Sequence, residues 1–289
     1  MSRPAPIPQE PASGSLRPVI EFENAAGSRL SLAGELRDIA GHDHLLSSLV
    51  LRDLTIRYKR SVLGFLWTML NPLLMMVVLT LVFSAFFRFA IEHYEIYFLS
   101  QYLPWIFFSQ TTVNSMAAMA WNGPLMKRVR IPKSIFAVAA TFSGMANLLL
   151  SCVPLLALML LTGAPIPVTI LFLPVSFLIL GLFTLGISLA LSSLSVYFAD
   201  VKETYQVAVL GLMYLAPIFY PMSIVPEQYM WIIRLNPMFY LLQICRDPIY
   251  SGRIPAAGDL MVSSICAAGA LVIGWLVFRR LSAGFYAHL

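Results

Sequence analysis

Long runs without charged residues dominate the pattern of hydrophobic and polar positions along this chain. Five runs contain no Asp, Glu, Lys, Arg or His: residues 61–87, 96–126, 134–199, 204–226 and 260–278. A helix of about 20 apolar residues crosses a hydrocarbon core about 30 Å thick, so four of the runs fit one crossing each. The third run is too long for one crossing, and Gly-Ala-Pro-Ile-Pro at 163–167 predicts a turn in its middle.

The pattern therefore predicts an all-α integral membrane protein with six spanning helices, in a domain that covers residues 61–278. The spans are predicted near residues 63–87, 98–122, 135–162, 168–196, 204–222 and 260–278. Fifteen Lys and Arg residues fall on one side of this arrangement, and four, Arg88, Arg234, Arg246 and Arg253, fall on the other. Because the side richer in Lys and Arg is usually cytoplasmic, both termini are expected in the cytoplasm.

The overall composition agrees with a membrane location. Of the 289 residues, 59% are hydrophobic and only 11% are charged, whereas about a quarter of the residues in a soluble domain are charged. This composition excludes a soluble globular enzyme, a disordered protein and a disulfide scaffold. The sequence also has no GxxxxGK[ST], HExxH or GxSxG motif, so no catalytic residue, metal site or cofactor is predicted in this chain.

The segments before and after the spans are predicted to lie on the cytoplasmic side. Residues 1–41 and 279–289 are predicted tails, and residues 42–60 are predicted to form an amphipathic helix. Its apolar residues recur at spacings of three and four, so that Leu46, Leu49, Val50, Leu54 and Tyr58 share one face. Such a helix lies in the inner membrane interface with its apolar face toward lipid. This helix and the basic loop at 127–133 each fit an ordinary cytoplasmic flank or a docking surface for a cytosolic partner.

Proline residues interrupt the apolar sequence between the fifth and sixth spans. They predict two short helices in a re-entrant segment at about 223–250, which dips into the membrane from the outer side. This segment is a candidate gate, and the alternative is an amphipathic cap on the outer surface. Aromatic residues near the span ends fit either interfacial belts or a conduit in which flat rings stack on sugars. The candidates for the conduit or gate are Trp67, Tyr214, Phe219, Tyr220, Tyr229 and Trp231.

The charge-free runs contain no acidic residue, and several acidic residues lie at the outer borders of the spans, where they are expected to be ordinary loop charges. They are Glu92, Glu95, Glu227, Asp247 and Asp259. Spans without ionisable residues disfavour a proton relay. The energy for transport is therefore expected to enter through the cytoplasmic surface.

Several short motifs stand at the borders of the predicted spans. The longest is LRDLTIRYKRSVLGFLW at residues 51–67, followed by Leu70-Asn71-Pro72. Others lie at residues 130–133, 197–201 and 217–221 and at Asn236-Pro237. Together they resemble the membrane subunit of ABC-2 type exporters for polysaccharides such as O-antigen, capsule-like glycans and teichoic acids. The resemblance covers roughly residues 42–285.

The resemblance implies a homodimer of six-span subunits in the bacterial inner membrane, paired with two separate ATPase subunits that bind ATP and Mg²⁺. The implied substrate is a lipid-linked glycan, commonly on undecaprenyl diphosphate. The other implied contacts are membrane lipids, and no nucleic-acid partner is expected. The amphipathic helix and the basic loop would meet the ATPases, which makes several of their residues candidates for coupling. These are Arg52, Asp53, Arg57, Tyr58, Lys59, Lys127, Arg128, Arg130 and Lys133.

Three alternative functions remain open from the sequence. An ABC-2 permease for a drug or a small lipid would use the same fold. A secondary carrier of lipid-like molecules would need no ATP. A membrane glycosyltransferase is the enzymatic alternative, and the lack of paired carboxylates in the spans disfavours it.

Overall fold

The computed structural model describes residues 34, 37–39, 41–58, 66–82, 91–128 and 131–285. These residues are mostly α-helical and include no β-strand, so the predicted all-α class is confirmed for them. The helices are α1 (Asp43–Tyr58), α2 (Leu66–Val82), α3 (Tyr94–Trp121), α4 (Gly123–Arg128), α5 (Ile135–Thr162), α6 (Leu173–Tyr197), α7 (Val201–Leu215), α8 (Glu227–Leu235), α9 (Pro237–Arg246) and α10 (Ala257–Ser282). A 3₁₀ turn at Val168–Phe172 precedes α6, and a π-helical turn at Asp247–Ser251 follows α9.

Within the residues that the structure describes, three helical segments are long and apolar enough to cross a membrane: Ile135–Thr162, Val168–Tyr197 and Ala257–Ser282. They lie where the third, fourth and sixth spans are predicted. At 1.5 Å per residue, the 28 residues of α5 extend about 42 Å, which exceeds the thickness of the hydrocarbon core. α5 stops at Gly163, whose φ of 70° is left-handed and suits glycine, as the predicted turn requires.

The helices at the other predicted spans differ in length from the prediction. α3 begins at Tyr94, before the predicted start at residue 98. α7 has only 15 residues and ends at Leu215, although the fifth span is predicted to reach residue 222. The helix stops there because Pro217 has no backbone N–H and disfavours a helical conformation at Ala216. α2 covers the middle of the first predicted span, and residues 83–87 lie outside the described residues.

Side-chain contacts sort the helix ends into two groups. At one end, which we call the basic end, Leu49 of α1, Met126 of α4 and Phe278 of α10 belong to one hydrophobic cluster. There the Lys133 Nζ donates to the Ser282 carbonyl oxygen at 2.6 Å.

At the other end, which we call the proline end, the α5–α6 turn meets the π-helical turn after α9, where the Thr169 hydroxyl donates to the Pro248 carbonyl oxygen at 2.9 Å. There the Tyr250 hydroxyl also donates to the Glu92 carbonyl oxygen at 2.9 Å. α3, α5, α6, α7 and α10 therefore run alternately between the two ends, so that α6 and α10 both run from the proline end to the basic end.

The closest helix crossing joins α6 to α10, the pair with the most extensive contact in the described part of the chain. A Cβ built on Gly274 would overlap the backbone carbonyl of Gly186, and one built on Gly186 would overlap the backbone at Ala270. The two backbones touch directly because neither glycine carries a side chain. Small residues allow this kind of approach between helices in membranes.

A helix is present at the position predicted for the amphipathic helix, as α1, and its residues Leu46 and Leu49 pack on protein. Leu49 is buried in a cluster with Ile135 and Phe136 of α5 and Phe278 of α10. Leu46 packs at the edge of the same cluster. The predicted burial of this face in lipid therefore does not hold for these leucines, because the basic end of the bundle covers them.

Candidate functional site

At the basic end, Arg52 links α1 to the junction between α3 and α4. Its Nη1 donates to the Oδ1 of Asn122 at 3.1 Å, and its Nη2 donates to the Oδ1 of Asp53 at 3.0 Å. Asn122 in turn donates from Nδ2 to the carbonyl oxygen of Ala118 at 2.7 Å, in the last turn of α3. Because the Arg52 side chain is 42% exposed, the ion pair itself adds at most about 1 kcal/mol to stability. The hydrogen bond to Asn122, rather than the ion pair, connects α1 to the end of α3.

Of the other predicted coupling residues, those that the structure describes belong to α1, to α4 or to the loop before α5. Arg57 and Tyr58 belong to the last turn of α1, and Lys127 and Arg128 end α4, whereas Lys59 and Arg130 lie outside the described residues. Lys133 makes its contacts within the chain. Its Nζ donates to the Ser282 carbonyl oxygen and lies 5.2 Å from the centroid of the Phe285 ring. Burial lowers the pKa of Lys133 below its ordinary value.

At the proline end, residues 216–221 follow α7 without regular helical structure. Their carbonyl groups accept hydrogen bonds from side chains of α3. The Tyr94 hydroxyl donates to the Phe219 carbonyl oxygen at 3.0 Å, and the Tyr97 hydroxyl donates to the Tyr220 carbonyl oxygen at 2.8 Å. Backbone carbonyl groups that are away from water need hydrogen-bond donors. In an irregular segment side chains must supply these donors, because the backbone N–H groups of a regular helix are missing.

Arg246, at the end of α9, supplies a third donor to the same segment. Its Nη2 donates to the Pro217 carbonyl oxygen at 2.9 Å. Its guanidinium carbon lies 3.7 Å from the centroid of the Tyr97 ring, in a cation–π arrangement. Arg246 is only 5% exposed, so this charge lies inside the protein rather than in an outer loop.

The structure corrects the prediction for Asp247. The sequence predicts an ordinary loop charge there, but the side chain is fully buried. Its Oδ1 accepts hydrogen bonds from Gln243 Nε2 at 2.6 Å, Arg253 Nη2 at 3.1 Å and Ser251 Oγ at 3.3 Å. A buried carboxylate is stable only with such donors. The sequence feature that indicates this burial is the Arg246-Asp247 pair, which stands alone within an apolar segment and is unusual for a solvated loop.

A groove of about 360 Å³ opens between the end of α7 and α8. Two of the predicted gate residues, Tyr220 and Tyr229, line it. The other lining residues are mainly aliphatic: Leu215, Ile224, Val225, Pro226, Ile232 and Ile233. The wall is therefore apolar, with two phenol rings as its aromatic part.

The remaining gate candidates are divided between the interior and the surface. Phe219 is buried, with its ring centroid 5.8 Å from those of Phe98 and Tyr214. Tyr214, Trp231 and Trp67 are each more than half exposed, and Trp67 belongs to the first turn of α2. The structure thus brings Tyr214, Phe219, Tyr220 and Tyr229 together near the proline end, whereas Trp67 belongs to a different helix.

Comparison with known proteins identifies the family. A family profile described as ABC-2 type transporter matches residues 44–250, from the start of α1 to the turn after α9. This chain belongs to the ABC-2 type transporter family. Membership confirms the resemblance carried by the sequence motifs. It also confirms that the chain is a transporter permease rather than a catalytic enzyme.

Individual members of the ABC-2 family align over most of their length. The O-antigen export system permease protein RfbA of Myxococcus xanthus is 31% identical over 242 residues, which are 83% of this chain and 92% of that protein. RfbA of Klebsiella pneumoniae is 26% identical, with 83% of this chain and 93% of that protein covered. The capsule polysaccharide export inner-membrane protein CtrC of Neisseria meningitidis is 21% identical, with 83% and 92% covered.

Proposed function

We propose that this protein is the permease subunit of an ABC transporter that exports a lipid-linked polysaccharide across the bacterial inner membrane. The main support is the alignment with O-antigen export permeases over 83% of this chain and more than 90% of each relative. The capsule export protein CtrC aligns over a similar share. We place the substrate among long glycans because these relatives are named for O-antigen and capsule polysaccharides.

The proposal assigns the energy source to a separate subunit. The sequence has no phosphate-binding loop of the GxxxxGK[ST] type, and its charge-free runs contain no proton-carrying group. We therefore propose a homodimer of this chain with two cytosolic ATPase subunits, which hold ATP and Mg²⁺. Of the predicted docking residues, Asp53, Arg57 and Tyr58 belong to α1 with Arg52, and Lys127 and Arg128 belong to α4. From Arg52 the hydrogen bond to Asn122 would carry a movement of α1 into α3.

We further propose six spans, with both termini in the cytoplasm and the basic end facing it. α2, α3 and α7 would add three spans to the three long apolar helices. α7 is only about 22 Å long at 1.5 Å per residue, so the segment after it completes the crossing. The hydrogen bonds from α3 and α9 to the carbonyl groups of that segment support this placement, since they replace the bonds a helix would make.

In this proposal α8 and α9 form the re-entrant element. Asn236, between the two helices, is buried, and Leu241 and Leu242 of α9 are fully buried. The Ser176 hydroxyl of α6 donates to the Ile244 carbonyl oxygen at 2.7 Å, which fixes α9 against a long apolar helix. A cap on the outer surface would leave α9 more exposed.

Deletion of the gene in the bacterium of origin tests the export function. We expect the long surface polysaccharide to disappear and lipid-linked polymer to accumulate inside the cell, with both effects reversed by a plasmid copy. Deletion of the partner ATPase gene should give the same phenotype. Unchanged surface polysaccharide, together with normal intracellular polymer, would contradict the proposal.

A further inference from the structure

The segment at 216–221 is held in place by side chains rather than by its own backbone. α3 contributes the hydroxyl groups of Tyr94 and Tyr97, and α9 contributes the guanidinium of Arg246. These donors bind the carbonyl groups of all four residues 217–220, since Arg246 Nη2 also reaches the Ile218 carbonyl oxygen at 3.5 Å. Because the donors come from two different helices, separation of α3 from α9 would release the segment at several points together.

The environment of Arg246 favours a role beyond ordinary packing. Among the described residues, no carboxylate forms an ion pair with its guanidinium, and its buried Nε has no hydrogen-bond partner. The neighbouring Asp247 is bound instead by Arg253, Gln243 and Ser251. A buried cation that relies on backbone carbonyl groups and one aromatic ring is costly. Such a charge is useful where its bonds must form and break, since an apolar side chain would pack there at lower cost.

The position of the segment connects these bonds to the groove. Phe219 packs on Phe98 of α3, and Tyr220 lines the groove beside α8. The Tyr220 hydroxyl also donates to the Tyr214 carbonyl oxygen at 2.9 Å, so the end of α7 moves with the segment. Release of the carbonyl groups would free Phe219, Tyr220 and the start of α8 together.

We propose that Arg246, Tyr94 and Tyr97 form a latch that holds residues 216–221 against α3 and closes the proline end of the transport path between export cycles. This inference rests on the proposed function. Arg246 is a positioning residue, since it acts through the backbone of the segment. In each cycle the latch opens, the carbonyl groups exchange their donors, and the aromatic residues of the segment move out of the path.

Cysteine labelling of the full-length chain with its ATPase partner tests the latch. In a background with Cys152, Cys245 and Cys266 replaced by Ala, the variant Ile218→Cys places a thiol at a fully buried position of the segment. We expect its labelling by a maleimide to become about tenfold faster with Arg246→Met. With Tyr97→Phe, which removes one neutral hydrogen bond and keeps the ring, we expect a several-fold increase.

Two controls separate the latch from general destabilisation. Tyr102→Phe changes a tyrosine of the same helix whose ring also packs on Phe98, but whose hydroxyl binds none of residues 216–221, and should leave the rate unchanged. Ser192 is fully buried in α6, so the second reporter, Ser192→Cys, should stay protected from the maleimide in every variant. Equal acceleration at both reporters, or no acceleration at Ile218→Cys, would overturn the latch.

Addition of ATP and Mg²⁺ tests the cycle. Turnover should accelerate labelling of Ile218→Cys in the chain with an intact latch, and a constant rate during hydrolysis would refute opening in each cycle. The nucleotide-free measurements do not depend on the cargo. If deletion of the gene leaves polysaccharide export unchanged but labelling of Ile218→Cys responds to Arg246→Met, the proposed function is wrong and the latch is still supported.

Discussion

Arg52 and Lys133 each bind a neighbouring helix through a hydrogen bond, but their surroundings differ. Arg52 is half exposed and bridges α1 and the end of α3, through Asn122. Lys133 is partly buried and binds the end of α10. A residue that transmits movement from a partner must be accessible at one side and connected at the other. Arg52 meets both conditions, whereas Lys133 mainly joins two parts of the bundle.

Replacement of Arg52 by Gln should therefore reduce export much more than stability. The lost hydrogen bond and exposed ion pair contribute about 1 kcal/mol, so thermal unfolding of the purified protein should shift by only a few degrees. Export, measured as surface polysaccharide in the complemented deletion strain, should fall severalfold. Arg280→Gln removes a charge from the same end at an exposed position and serves as the control. Equal export in the two variants would contradict a coupling role for Arg52.

At the level of elements, the described helices are positioned by two kinds of contact. α6 and α10 approach until their backbones touch at Gly186 and Gly274. α1 is attached to the bundle by leucine side chains at the basic end. The first contact allows almost no added volume, while the second depends on apolar burial and tolerates small adjustments.

Gly274→Ala should destabilise the protein by about 1–3 kcal/mol, because the new methyl group meets rigid backbone that cannot move without separating the helices. Gly269→Ala is the matched control, since nothing lies within 4 Å of a Cβ at that position of the same helix. Thermal unfolding in detergent measures both variants. Equal midpoints for the two would show that the crossing is looser than described.

Leu49→Ala and Leu51→Ala distinguish protein packing from lipid burial for α1. Leu49 is 4% exposed and should cost about 2–4 kcal/mol when truncated, whereas Leu51 is 63% exposed and should cost less than about 0.5 kcal/mol. The measurement is again thermal unfolding of the purified protein. If the two truncations had the same effect, α1 would not depend on the cluster at the basic end.

For the whole molecule, the contacts establish that helices run alternately between the basic end and the proline end. The distribution of Lys and Arg predicts that the basic end faces the cytoplasm, because such residues resist transfer across the membrane. Under this prediction the groove and the proposed latch lie on the outer side. Orientation thus determines where cargo leaves in the proposed cycle.

Topology reporters test this orientation. Green fluorescent protein fused after residue 289 should fluoresce, and alkaline phosphatase fused there should be inactive, since the C-terminus is predicted to be cytoplasmic. Alkaline phosphatase inserted at the 163–167 turn should be active. A C-terminal phosphatase with full activity would reverse the assignment of both ends.

The sequence alone was sufficient for the helical class, the long apolar helices and the family. A charge-free run longer than 20 residues satisfies its backbone in lipid only as a helix, so α5 begins and ends where the pattern predicts. The two short helices α8 and α9 also follow locally, because Pro226 and Pro237 precede and open them. In each case neighbouring residues along the chain supply the physical cause.

Tertiary structure alone decided which charges and glycines matter. Arg246 finds its partners in Tyr97 and Pro217, and Gly274 meets Gly186, all of them far apart along the chain. The donors to Asp247 lie within six residues along the chain, but the full burial of its side chain depends on the packing of the bundle. Hydropathy and spacing describe each segment by itself, whereas burial, hydrogen bonding and steric fit depend on which segments the packing of the bundle brings together.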